Sequence, residues 1–236
     1  MLLIQLQERT DKMDIQTKKD KGWDYFLYAL YAFAGLGIEV LLAFFIEPVI
    51  YGCSMNEWST AQNISHWVIT CMCWGLICFF LAKTSKNKYG YDVFMYQNKM
   101  KLWQWCTVIA IFILMIVISY VDWNGSKVLK ELQYNGLLKF IFQYVYYIFE
   151  VGLMVLIIVF GQKAFEKWFH DDCYVLIPYG GILTGLTWGM GHILTKGSIT
   201  MGVSLILISI GYGATYLLVN RDIRKAYIWI LLMFVL

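Results

Sequence analysis

The chain has 236 residues, of which 60% are apolar and only 15% charged, with a mean hydropathy of +0.60. A soluble globular chain carries about 45–50% apolar and about 25% charged residues, so disorder, collagen and a secreted disulfide scaffold are all excluded. The net charge of +3 is not gathered into a basic cluster interleaved with aromatics, which leaves nucleic-acid binding without support.

The first segment, 1–22, is polar and charged and has neither the apolar run nor the small-residue cleavage site of a signal peptide. It reads as a cytoplasmic amino-terminal segment, with Met13 as an alternative start. A membrane span needs about 20 mainly apolar residues. Such runs occur at about 23–50, 64–82, 102–121, 137–162, 178–195 and 199–219. A last apolar run, Ala226 to Leu236, has 11 residues and is too short to cross. The expected fold class is therefore all-α, a polytopic bundle of six full spans and a short carboxy-terminal helix. Open sheet edges cannot be satisfied in lipid.

Orientation follows from the basic residues. With the amino terminus inside, the inner segments hold five before the first span, five in 83–101, two in 163–167 and three in 221–225. That is fifteen, against three in 127–139 and Lys196 outside, which predicts an inside amino terminus. Four of the six cysteines (Cys71, Cys73, Cys78 and Cys106) lie in apolar runs, where cysteine packs as a small hydrophobe. His66 and His170 read as interfacial, at a span end and in a loop.

Three ionisable residues fall deep inside spans: Glu39, Glu150 and His192. Such groups are costly in the hydrocarbon core and mark functional sites. Glu150 stands 13 residues from Lys163, His192 14 from Pro178 and Glu39 16 from Trp23. At about 1.5 Å per residue all three lie about 20–24 Å from the inner surface, in one layer. At about 100° per residue, His192 falls at about 20°, within a stripe of Gly181, Gly185 and Gly189 at about 0°, 40° and 80°. Small-residue stripes let helices approach closely, so the fourth and fifth spans are expected to pack there. Gln143, Tyr146 and Tyr147 share the Glu150 side of the fourth span, and Ala32, Gly35 and Ala43 accompany Glu39.

From Glu150 onward, with Thr187-Trp188-Gly189-Met190-Gly191-His192, Gly211-Tyr212-Gly213 and a short basic turn, the chain resembles the CPBP family. These are the type II CAAX prenyl proteases and the bacteriocin-processing and immunity proteins also called Abi. The likeness covers roughly 140–236, so 137–236 reads as a CPBP-like core and 23–136 as three generic spans. The family carries E-E-x-x-x-R, then F-x-x-x-H, then H-x-x-x-N or H-x-x-x-D. Glu150 occupies a glutamate position with Phe149 and Val151 beside it, and His192 matches the first histidine, with Trp188 in place of phenylalanine. Met154 and Val155 supply no arginine, and no His, Asn or Asp stands at 227–230.

The resemblance implies an intramembrane endopeptidase in which Glu150 and His192 activate water, and Glu39, Tyr146, Tyr147 and Trp188 are candidate supporting residues beside them. Its substrate would be a membrane, prenylated or leader peptide, and its setting a bacterial cytoplasmic membrane. The missing motif positions point instead to a degenerate member that binds a peptide or partner without cleaving it. A third reading is a proton or cation relay through Glu39, Glu150 and His192. No cofactor is required, although carboxylate and imidazole together are ligands that could hold a divalent metal such as zinc.

Overall fold

The computed structural model describes residues 21–96, 99–169, 176–196 and 198–236. Met13, His170 and Cys173 lie outside the described residues. Among the described residues every regular element is helical. Helix α1 runs Gly22–Tyr51, with a π-helical turn at Leu42–Ile46. It is followed by α2 (Thr60–Tyr89), α3 (Leu102–Asp122) and α4 (Lys127–Phe169). Helix α5 covers 179–196 and contains a second π-helical turn at Gly185–Gly189. Helices α6 (Ile199–Leu218) and α7 (Ile223–Val235) complete the chain.

Among the described residues four helices, α1 to α4, are long and apolar enough to cross a membrane, and the apolar stretch Gly202–Leu218 is shorter. The molecule is an integral membrane helical bundle. Its outer face agrees: Leu27, Phe44, Phe45, Met72, Leu76 and Ile113 are large, apolar and exposed, a surface suited to lipid rather than water.

Local signals set the helix ends. Ser59 and Gln62 form a reciprocal capping box at the start of α2, and Gly90 closes that helix in the left-handed conformation at φ 66°. Gly136, at φ 69° and ψ 167°, breaks α4 into a short entry segment and a long inner one.

The inner part of α4 is the axis of the bundle. Residues 153–160 are buried on every face, as expected for a helix apolar all round and surrounded by others. Helices α1, α2, α5 and α7 pack directly on it, while α6 lies behind α5 and also touches α3 and α7. Close approach is made by small residues. A Cβ at Gly180 would collide with the Ile158 carbonyl of α4. One at Gly35 would come within 3.3 Å of Ile77 and Leu153, and there the Trp74 indole donates to the Gly35 carbonyl at 2.8 Å.

The glycine stripe does not serve the fourth helix. Gly181 faces Ser209 and Gly213, and Gly185 and Gly189 face Ile206, all on α6. The expectation that Gly181, Gly185 and Gly189 join the fourth and fifth helices is thereby corrected. The neighbouring Gly180, one residue and about 100° away, is what meets α4.

The turn from α6 into α7 carries two non-glycine residues at positive φ, Asn220 (58°) and Arg221 (61°). Their side chains hold this uncommon geometry. Asn220 accepts from Gln104 at 2.7 Å and donates to the Lys99 carbonyl at 2.9 Å, while buried Arg221 donates to buried Glu166 at 2.5 Å.

Candidate functional site

Glu150 is buried on α4, and its Oε1 accepts a hydrogen bond from the Trp188 indole Nε1 at 3.1 Å. Trp188 lies in the π-helical turn of α5, where one residue is inserted into the helical ladder, a distortion common at functional sites. The backbone carbonyl of Trp188 accepts from His192 Nδ1 at 2.9 Å, and the two rings pack at 4.6 Å between centroids. A ring nitrogen facing a carbonyl must carry hydrogen, which in the neutral imidazole leaves Nε2 as the acceptor. One residue therefore touches both expected partners: its side chain holds the glutamate and its backbone holds the histidine.

Glu39 approaches from α1. It lies near Tyr146 and Glu150 of α4. Tyr146 itself packs on Trp74 at 4.7 Å. Tyr147, next in sequence and about 100° around the helix, faces a different group. Its hydroxyl donates to Glu131 at 2.6 Å and accepts from Gln143 at 2.6 Å, and Gln143 in turn accepts from Asn135 at 2.5 Å.

Lys127 adds a cation to this second group. Its ammonium lies 4.7 Å from the Tyr147 ring centre and 4.4 Å from that of Phe234, and it donates to the Phe234 carbonyl at 2.5 Å. The end of α7 is thus tied to the start of α4 by a buried cation over aromatic faces. Sequence reasoning placed Lys127 and Glu131 in an outer loop. Their i, i+4 spacing on one helical face was the available signal.

A third polar cluster, also missed, lies where α1 ends. Glu47 and His66 are both 2% exposed, and Glu47 Oε2 meets His66 Nδ1 at 2.5 Å. His66, near the start of α2, is therefore buried within the protein and hydrogen-bonded. The Trp58 ring covers it at 5.3 Å. Nothing local in the sequence pairs two residues 19 apart across a turn.

Among the described residues, no three His, Cys, Asp or Glu side chains converge as a metal site would require. The carboxylate of Glu150 and the imidazole of His192 are two donors, with the indole of Trp188 on the glutamate, and an indole N–H is no metal ligand. No family model, curated protein or solved structure matches the chain.

Proposed function

We propose that this membrane protein has a degenerate CPBP-like core that holds a peptide or partner helix and does not hydrolyse it. The observation that carries the reading is the Trp188 bridge. An indole N–H holds Oε1 of Glu150 and the backbone carbonyl of the same residue holds His192, so a single tryptophan fixes both groups as one packed structural unit. The empty arginine and late histidine positions support the same conclusion. Lacking one oxyanion donor alone costs about 10²–10³ in rate.

The basic-residue bias supports an inside amino terminus for the six spans read from the sequence, and this reading sets the protein in a bacterial cytoplasmic membrane. The partners in this reading are membrane lipids and a membrane or leader-type peptide.

The test compares the parent with Glu150→Gln and Trp188→Phe in detergent. A prenylated peptide and a leader peptide serve as substrates, and thermal unfolding is followed in parallel. The expected result is no cleavage by any of the three. Trp188→Phe should be less stable by about 2 kcal/mol, because the buried carboxylate loses its donor. Cleavage by the parent that disappears in a folded Glu150→Gln would refute the proposal and restore the hydrolytic role.

A further inference from the structure

A cavity of about 320 Å³ opens on the side of the bundle between α2, α4 and α7. Its walls are almost wholly apolar and include Cys78, Ala82, Gly152, Val155, Ile223 and Tyr227. The one polar tip in that set is turned to other use, since the Tyr227 hydroxyl donates to the Ile148 carbonyl at 2.9 Å. Gly152 helps to make the space: a Cβ there would reach only ordinary contact with Cys78, at 3.4 Å.

The lining narrows the occupant: an open slot between helices with almost no polar wall takes a linear hydrocarbon chain.

Charge narrows it further. Arg224 lines the mouth and is half-exposed, and its guanidinium is held by two bonds. Nε donates to Asp222 at 3.1 Å and Nη2 to the Tyr96 carbonyl at 3.0 Å. A guanidinium has five N–H donors, so these two bonds fix its position while leaving donors for an anion. Lys225 stands beside it, also on Asp222 at 3.1 Å, and Lys86 is exposed on Asp92 at 2.7 Å. Three cations share two carboxylates, and Lys83 and Lys88 lie on the same end of α2. Phe94, exposed and apolar, lines the slot from the link between α2 and α3. An apolar slot between membrane helices with a basic mouth recognises an anionic head group attached to an acyl chain.

We propose that this slot binds one anionic phospholipid, with an acyl chain in the cavity and its phosphate at Arg224. The site is separate from Glu150 and His192. It rests on the bundle being a membrane protein and not on the fate of that pair.

The experiment uses the full chain purified in detergent. It measures retained lipid by native mass spectrometry and thermal stability with added phosphatidylglycerol, phosphatidylcholine of the same acyl chains, or oleate. The parent should retain one phosphatidylglycerol and gain stability from it, and phosphatidylcholine should do neither. Arg224→Gln should weaken phosphatidylglycerol retention by about fivefold, the share of one basic residue. Ala82→Leu, which fills the slot and leaves Arg224 and its bonds in place, should abolish retention. Equal retention of the two phospholipids by the parent would overturn the proposal. So would oleate displacing phosphatidylglycerol, or parent-like retention in Ala82→Leu.

Discussion

Adding a single methyl group at Gly181 should force α5 and α6 apart. Its Cβ would lie 2.5 Å from the Ser209 carbonyl oxygen and 2.9 Å from the Gly213 Cα, and the reciprocal Cβ on Gly213 would lie 2.6 Å from the Gly181 Cα. Every one of these neighbours is backbone, so no rotamer change can make room. The helices must separate by about 1 Å to restore ordinary contact, and the buried side chains on either side lose packing with them. Overpacking costs about 1–3 kcal/mol, and a backbone-on-backbone crossing belongs in the upper part of that range. Gly181→Ala should therefore lower stability by about 2–3 kcal/mol, or about 4–12 °C in unfolding temperature for a chain of this size. Gly37→Ala is the internal control. Gly37 also lies in a helix, but nothing stands within 4 Å of its Cβ position, so alanine there should gain about 0.5–1 kcal/mol from backbone entropy. Thermal unfolding in detergent, read by tryptophan fluorescence, compares the two. If Gly181→Ala unfolds with Gly37→Ala or above the parent, the close crossing of α5 and α6 is wrong.

Two further outcomes follow from the other clusters. Glu47→Ala should cost about 3 kcal/mol by leaving His66 buried without its partner, and Glu47→Leu combined with His66→Phe should recover most of that loss. Equal instability of the single and the double variants in the same unfolding assay would show that the pair carries no coupling. The Lys86 ammonium beside Asp92 holds that carboxyl below its usual range, together with the Phe94 backbone N–H. A carboxyl lowered in the folded state stabilises above its unfolded pKa of about 3.9 and loses this as pH falls through the folded value. Asp92→Asn should thus be slightly less stable than the parent at pH 7 and indistinguishable from it near pH 2; a constant difference across that range would remove the electrostatic explanation.

The helices were legible because lipid forces each segment to satisfy its own backbone hydrogen bonds. The apolar run read at 102–121 is the helix Leu102–Asp122, and that read at 199–219 is Ile199–Leu218. Glu150 as a buried carboxylate was legible for the same reason: charge is scarce in such a run. What His192 faces was harder to read. The face calculation used about 100° per residue from Gly181 to His192, but the π-helical turn at Gly185–Gly189 winds more slowly and displaces everything after it. His192 accordingly turns to the Trp188 carbonyl, and the indole of that residue stands on the glutamate.

By itself, then, the sequence determined the class of molecule and the apolar middle of each helix, because hydropathy acts within one segment, while α2 and α4 extend beyond the runs read at 64–82 and 137–162. Only the tertiary structure decided the pairings. Glu47 finds His66 across a turn, and Lys127 finds Phe234 across 107 residues. Gly181 meets Gly213 where the stripe alone could have faced any neighbour. In each case the partner is chosen by which helices lie side by side, and that is set by packing against α4, a property of all the helices together and of no single run of residues.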